Sequence, residues 1–228
     1  MISLRLQNLV KLIEKGSCVA DIGSDHGYLL LELKKLNLAT KMLGVENKKG
    51  PFEHLKKNVL RMDPELKNIN ISFSSGLEEV TSEYTTVVIA GMGFVTIKSI
   101  IEKDLKKTDF INTFIIDSHS NTPELRHFLN DIGYYIDKEL CFYDKKVFYE
   151  VIRFKKGHKV YNDLDYKFGP YLRVEKNEDY ERYYGDKINK IDIILSNGKL
   201  SDEIRDNLIK EKEELKKILW KQEVCWIN

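Results

Sequence analysis

The sequence is poor in cysteine and proline and has no long apolar run. It contains three cysteines and four prolines in 228 residues. Cys18, Cys141 and Cys225 lie far apart, so they predict neither a disulfide framework nor a CxxC metal site. No run approaches the ~18 apolar residues that a membrane-spanning helix needs. We therefore expect a protein with no metal, no disulfide and no membrane partner.

The sequence also lacks an excess of charge of one sign. Lys and Arg number 37 and Asp and Glu number 36, a formal net charge of +1, whereas many nucleic-acid-binding domains are strongly basic. Basic residues nevertheless cluster at three places, which are Lys48–Lys49, the group Lys56, Lys57 and Arg61, and the segment Lys145–Lys159. Each cluster is either a solvated face or a local binding patch, and the sequence leaves both interpretations open.

The N-terminal segment MISLRLQNLVKLIEKG spreads its charges through an amphipathic pattern. It lacks the continuous apolar centre and the small-residue cleavage site of a secretory signal. The pattern predicts a helix that stays in the protein. Together with the few cysteines it favours a cytoplasmic location, and we expect a monomer.

Short β-rich runs alternate with amphipathic helical stretches over roughly the first 130 residues, which is typical of βαβ units and a parallel sheet. The predicted strands are Cys18–Gly23, Met42–Asn47, Asn70–Gly76, Thr85–Gly91 and Thr113–Ser118. The predicted helices between them are Tyr28–Leu38, Pro51–Arg61, Thr96–Lys107 and Pro123–Asp131. After Gly133 a strand pattern occurs twice around a polar YDKK turn, which predicts an antiparallel hairpin and brings the count to seven strands.

The strand pattern stops at Gly169–Pro170, and two helical segments follow. Asn197–Gly198 is predicted to end the first helix, and Ser201 to cap the second. Apolar residues repeat at near-heptad spacing in both segments. In the first they are Tyr184, Ile188, Ile191 and Leu195, and in the second they are Ile204, Leu208, Leu215 and Ile218, with Glu211 interrupting the second series. We predict a domain of residues 1–170 and a helical hairpin of residues 171–228, either a short antiparallel coiled coil or an arm packed back onto the sheet. From Arg173 onward 12 basic residues face 13 acids, so the arm is not a basic tail.

The segment ADIGSDHGYL, Ala20–Leu29, is the most informative motif. A buried-looking strand ends in Asp21, the chain turns through Gly23 and Gly27, and a helix begins. Glycine lets a backbone approach a ligand where a Cβ would collide, although glycines also end strands for purely structural reasons. The DxGxxxG spacing departs from the GxGxxG of dinucleotide-binding enzymes, which disfavours a nicotinamide enzyme. A looser turn suits S-adenosylmethionine, which has no pyrophosphate.

Two further features fall at the same edge of the predicted sheet. Glu46 closes the second strand, where an acid can accept both ribose hydroxyls of an adenosyl group, or is simply exposed. Gly91, Met92 and Gly93 follow the fourth strand, at the carboxyl edge where open α/β sheets bind ligands, or form a plain tight turn. The three features together favour an adenosyl cofactor.

Eight motifs occur in order along the chain. They are RL (Arg5–Leu6), ADIGSDHGYL, GPF (Gly50–Phe52), SGL (Ser75–Leu77), IAGMG (Ile89–Gly93), LRHFL (Leu125–Leu129), YEV (Tyr149–Val151) and GPYL (Gly169–Leu172). Together they resemble the bacterial tRNA (adenine-22) N1-methyltransferase family, by motif over about the first 172 residues and by architecture beyond. The resemblance implies an α/β fold, a doubly wound Rossmann-like seven-stranded methyltransferase sheet with a C-terminal helical, antiparallel coiled-coil hairpin.

The resemblance also implies an activity, which is methyl transfer from S-adenosylmethionine to ring nitrogen 1 of adenine 22 in tRNA. The candidate cofactor-binding residues are Asp21, Gly23, Ser24, Asp25, Gly27, Glu46, Asn47, Ser75, Gly76, Leu77 and Gly91. The candidate catalytic residues are Asp25, His26, Gly91, Met92 and Gly93, with a purely supporting role for His26 left open. We expect the target base to be extruded or already unpaired, and Phe94 to stack on it.

Three positions depart from the family's pattern. The chain has Ser74–Ser75–Gly76–Leu77 where the family usually has GDGL, so the acid expected near the cofactor's adenine is missing. Phe94 replaces a second glycine after GMG, and Asp117–Ser118–His119 stands where a QPN-like stretch is usual. These departures keep two alternatives open: a methyltransferase with another acceptor, and a non-catalytic tRNA-binding protein that retains the fold.

Overall fold

A seven-stranded sheet forms the centre of the protein. The computed structural model describes residues 2–196, 198 and 200–219. The strands are β1 (Ser17–Ile22), β2 (Ala39–Glu46), β3 (Ile69–Phe73), β4 (Thr86–Met92), β5 (Thr113–Ser118), β6 (Tyr134–Asp144) and β7 (Val147–Lys156). Their order is β3-β2-β1-β4-β5-β7-β6, with β1 to β5 parallel and β7 antiparallel to both β5 and β6. The predicted five parallel strands and closing hairpin are confirmed.

Helices cover both faces of the sheet. They are α1 (Leu4–Leu12), α2 (Tyr28–Lys35), α3 (Lys49–Met62), α4 (Phe94–Lys103), α5 (Thr122–Asp131), α6 (Asp163–Phe168), α7 (Leu172–Glu175), α8 (Glu178–Ser196) and α9 (Asp202–Leu219). Apolar residues of α1, α2 and α3 form one buried cluster with the sheet, and those of α4 and α5 form another on the opposite face. The fold is therefore doubly wound, as predicted. Within the described part of the chain, no helix has the length and apolar character needed to cross a membrane.

Some element boundaries differ from the prediction. The predicted helix at Thr96–Lys107 is wrong at its end, because α4 stops at Lys103 and a 3-10 turn follows over Leu105–Asp109. The third strand ends at Phe73 rather than Gly76, which adopts a positive φ of 59° as the chain turns away. The sequence did not predict the short helices α6 and α7, which join the sheet to the arm.

The last two helices form an antiparallel hairpin. Lys212 on α9 forms an ion pair with Asp192 on α8, and Ser201 Oγ accepts the amide hydrogen of Ile204 as the predicted cap. The root of the hairpin shares a buried cluster with the sheet edge, made up of Cys141, Phe168, Leu172, Tyr180, Tyr184, Ile191, Leu215 and Ile218. The apolar seam does not reach the tip, because Ile204 is 50% exposed. Asn197, predicted to end α8, and Cys225 lie outside the described residues, and the domain boundary at residue 170 stays a prediction.

Candidate functional site

The chain between β1 and α2 forms a tight bend at the carboxyl edge of the sheet. Gly23, Asp25 and Gly27 all adopt positive φ, at 74°, 50° and 72°. The amides of Gly23 and Ser24 both donate to the carbonyl oxygen of Val45 on β2, at 2.9 Å. The bend is thus held against the end of the neighbouring strand, where open α/β sheets bind ligands.

Glu46, at the end of β2, contacts this bend directly. Its side chain is buried, and Oε2 accepts a hydrogen bond from the Asp25 amide at 3.1 Å. Oε1 accepts two more, from the amides of Asn47 at 3.0 Å and Lys48 at 2.9 Å. A carboxylate has about four acceptor sites, so three are used and one remains on Oε2. Glu46 therefore has the acceptor capacity for one further hydrogen bond, whereas the sequence suggested contact with both hydroxyls of a ribose.

Asp21 lies beneath the same bend. It is buried, and Ser24 Oγ donates to its Oδ2 at 2.7 Å. Burial raises the pKa of Asp21 from 3.8 to about 6, against the opposing effects of the Ser24 hydrogen bond and of Arg5. Because a cation nearby would favour the ionised carboxylate, Asp21 is suited to a positively charged ligand group.

Two clefts open on either side of Gly23. The β2 cleft, of about 570 Å³, has both apolar and polar residues in its lining, which are Ile22, Gly23, Val45, Asn47, Lys48, Ser74, Ser75, Gly76, Met92, Val95, Thr96, Ser99 and Ile100. The α1 cleft, of about 180 Å³, is more strongly charged, and is lined by Ser3, Arg5, Leu6, Leu9, Asp21, Gly23, Ser24, Asp25, His26, Tyr28, Leu29 and Ala90. A Cβ at Gly23 would collide with the Met92 methyl group, so the glycine keeps this junction open.

The structure brings most of the predicted site residues to these two clefts. Gly23, Asn47, Ser75, Gly76 and Met92 line the β2 cleft, and Asp21, Gly23, Ser24, Asp25 and His26 line the α1 cleft.

Five predicted positions line neither cleft, and the first is Glu46, whose buried side chain lies between the lining residues Val45 and Asn47 in sequence. Leu77 has its side chain in the core, while its carbonyl oxygen accepts from Lys107 Nζ at 2.6 Å. Gly27 faces Leu55, Gly91 faces the Arg5 guanidinium and Gly93 faces Ser120.

The residue expected to stack on an acceptor base is also placed differently. Phe94 packs against the core and lies 6.3 Å from the Phe128 ring centroid. Its neighbour Val95 is 75% exposed and lines the β2 cleft. Tyr28, which is 55% exposed, lines the α1 cleft and offers an accessible ring there.

Sequence reasoning missed an ion pair beside the α1 cleft. Arg5 Nε donates to Asp117 Oδ2 at 2.5 Å, which joins α1 to the end of β5. Asp117 is fully buried, and its Oδ1 has no hydrogen-bond partner among the residues that the structure describes. The sequence drew attention to Arg5 through the RL motif and to Asp117 through its departure from the family pattern. It did not indicate that the two residues pair, because 112 positions separate them.

The residue types at the two clefts fit S-adenosylmethionine. The β2 cleft combines apolar side chains that suit an adenine ring with hydroxyl and amide groups that suit its polar edges, and the neighbours of Glu46 in the chain, Val45 and Asn47, both line it. The buried Asp21 carboxylate suits an ammonium or sulfonium cation. Among residues 2–196, 198 and 200–219, no three His, Cys, Asp or Glu side chains form a group able to hold a metal ion.

The chain is similar to known proteins in sequence and in fold. A sequence model of the tRNA (adenine(22)-N(1))-methyltransferase family matches residues 19–223. The tRNA (adenine(22)-N(1))-methyltransferase of Bacillus subtilis strain 168 is 28% identical over 183 residues, 77% of this chain and 76% of that protein.

Two solved structures are also similar. Sp1610 of Streptococcus pneumoniae in complex with S-adenosyl-L-methionine has a TM-score of 0.87 and 27% identity, with coverage of 96% of this chain and 100% of that chain. An M. capricolum protein in complex with S-adenosyl-homocysteine has a TM-score of 0.84 and 26% identity, with coverage of 96% and 98%.

Proposed function

The chain belongs to the tRNA (adenine(22)-N(1))-methyltransferase family, and on that premise we propose that it transfers a methyl group from S-adenosyl-L-methionine to ring nitrogen 1 of adenine 22 in tRNA. The observation that carries the proposal is the hydrogen bond from the Asp25 amide to Glu46 Oε2 at 3.1 Å. This contact brings the acid of the second strand to the glycine bend of the first. Relatives that bind S-adenosyl-L-methionine and S-adenosyl-homocysteine support the choice of cofactor.

We assign the cofactor to the junction of the two clefts. Glu46 would accept one ribose hydroxyl on Oε2, and Asn47, Ser75 and Gly76 would line the adenine end of the β2 cleft. Asp21 would face the amino group of the methionine part. When bound, S-adenosyl-L-methionine supplies an activated methyl group, so the main task of the protein is alignment and exclusion of water.

The acceptor base would enter by the α1 cleft. Ring nitrogen 1 of adenine attacks as a neutral base, so the site does not need a strong general base. Asp25 and His26 are the polar groups that would hold the base, and Arg5, fixed by Asp117, would define the opposite wall. The pairing edge of the base must be free, so we expect an extruded or unpaired adenine, with Tyr28 available for stacking.

We also propose that tRNA is the protein's partner, that the protein acts in the cytoplasm and that it works as a monomer. Light scattering of the purified protein at micromolar concentration would give the mass of one 26.7 kDa chain. A mass of two chains would contradict the monomer without affecting the activity.

Incubation with labelled S-adenosyl-L-methionine and unmodified tRNA tests the activity. We expect 1-methyladenosine at position 22, and no label in a matched tRNA that carries guanine there. Label at another position would replace the assigned acceptor. No label, combined with tRNA binding and without heat on titration of S-adenosyl-homocysteine, would instead establish a non-catalytic tRNA-binding protein, as the missing acid at Ser75 allows.

A further inference from the structure

Helix α3 concentrates positive charge beside the glycine bend. Residues 48–62 contain five cations, Lys48, Lys49, Lys56, Lys57 and Arg61, against one acid, Glu53. At 3.6 residues per turn the side chains of Lys49, Lys56, Lys57 and Arg61 fall within an arc of about 140° on the exposed side of the helix. We call these four residues the α3 basic face. In a chain whose net charge is +1, this is a strong local imbalance.

The carboxylates that the structure describes do not neutralise the cations of the α3 basic face. None of the four forms an ion pair with a carboxylate among the described residues, whereas the nearby Lys34 and Lys41 pair with Asp63 and Glu83. Since unpaired cations clustered on one surface attract a polyanion, the α3 basic face is available for a phosphate backbone.

The α3 basic face is joined to the rim of the α1 cleft. Asn58 Nδ2 donates to the His26 carbonyl oxygen at 3.0 Å, and Leu55 packs against Gly27, so α3 lies directly on the bend. On the exposed side the rings of His54 and His26 are 5.0 Å apart, and His26 lines the α1 cleft. An RNA strand that runs along the α3 basic face would therefore reach the α1 cleft, where the acceptor base would enter.

We infer that the α3 basic face binds the phosphate backbone of the substrate RNA and guides it to the α1 cleft. The inference rests on the proposed tRNA substrate and specifies the surface that binds it. The helical arm is a weaker candidate for this electrostatic role, because its 12 basic residues face 13 acids from Arg173 onward. An acidic protein could also bind the α3 basic face, but such binding would not explain why this face lies beside the α1 cleft.

The test compares two triple variants with equal loss of charge. One carries Lys56→Gln, Lys57→Gln and Arg61→Gln. The control carries Lys15→Gln, Lys106→Gln and Lys138→Gln, three exposed cations outside α3 that form no ion pair with a described carboxylate. For each protein, tRNA affinity is measured across salt concentrations, S-adenosyl-homocysteine affinity by calorimetry, and methylation of tRNA by label incorporation.

For the α3 variant we expect at least a tenfold weaker tRNA affinity at 100 mM salt. The slope of log affinity against log salt should fall by about 2, since each lost phosphate contact removes about 0.7 to 0.9 of slope. S-adenosyl-homocysteine affinity should not change, and the control should match the wild type. Equal tRNA affinity and slope in the α3 variant and the wild type would overturn the inference, and would leave an acidic protein as the partner to examine. A wild type that does not methylate tRNA would instead contradict the proposed function.

Discussion

Asp21 lies in a buried position that disfavours the ionised form of its carboxyl group. The backbone of β1 fixes it beneath the bend, and burial raises its pKa to about 6. Ionisation of the buried carboxylate is unfavourable in the free protein, and a bound cation stabilises the ionised form. Part of the binding free energy of a cationic ligand is therefore used to ionise Asp21.

Replacement of Asp21 by asparagine tests this balance. The folded-state pKa lies above the ordinary 3.8, so the contribution of Asp21 to stability is fully present below pH ~4 and is lost as the pH rises through about 6. At pH 8, Asp21→Asn should therefore stabilise the free protein by up to about 3 kcal/mol, and the gain should vanish below pH 4. Denaturant titrations at both pH values measure this difference, and calorimetry should show weaker cofactor binding. The exposed Asp186→Asn serves as the control, with an expected change below about 0.5 kcal/mol.

Glu46 organises the bend and would also contact the cofactor. Glu46→Gln leaves a single acceptor oxygen and directs an amide donor at a backbone amide, so it cannot accept all three hydrogen bonds. We expect cofactor binding to weaken by about 1 to 3 kcal/mol, measured by calorimetry with S-adenosyl-homocysteine. The exposed Glu79→Gln provides the matched control. Unchanged affinity in Glu46→Gln would remove Glu46 from the binding site.

At the scale of elements, three motifs of the sequence meet in one buried ion cluster. Arg126 on α5 is fully buried and donates to Glu139 on β6 at 2.8 Å and to Glu150 on β7 at 3.0 Å. Glu139 also accepts from the Tyr171 amide at 3.0 Å, just before α7. The LRHFL, YEV and GPYL motifs thus join the sheet edge to the root of the arm, rather than contributing to the clefts.

Removal of the arginine should leave two buried carboxylates without their cation. We expect Arg126→Met to destabilise the protein by about 3 to 5 kcal/mol, measured by denaturant unfolding. As a control, Lys67→Met removes an exposed ion pair with Glu65, and should change stability by less than about 1 kcal/mol. Equal effects of the two substitutions would show that the cluster does not hold the elements together.

Local patterns in the sequence predicted most elements, but not the contacts between distant ones. Alternation and helical periodicity record burial within one element, so β1 to β7 and α2 to α5 were found with errors mainly at their ends. Glu46 was placed correctly because the ends of adjacent parallel strands must meet at one edge. Arg5 with Asp117, and Arg126 with its acids, depend on tertiary packing that no local pattern contains. Leu77 was assigned to the site by motif alone, and the structure buries it in the core.

At the scale of the whole molecule, the arm is firmly attached at its root and exposed towards its tip. We expect that replacement of residues 196–207 by a short glycine–serine turn, which retains the Asp192–Lys212 ion pair and the leucines Leu195 and Leu208 that pack against the shared root cluster, will leave this cluster intact. Thermal stability and S-adenosyl-homocysteine affinity should then be unchanged, while methylation of tRNA should fall at least tenfold. Retained methylation would show that the arm is not needed for the substrate.

The buried root also gives the arm a fixed direction. Helix α8 has 19 residues and spans about 28 Å at 1.5 Å per residue. Because its first turns share a core with β6, the direction in which α8 leaves the sheet is set by packing. If the arm contacts the RNA, the fixed root would let the protein select substrates by the distance between two parts of a folded RNA.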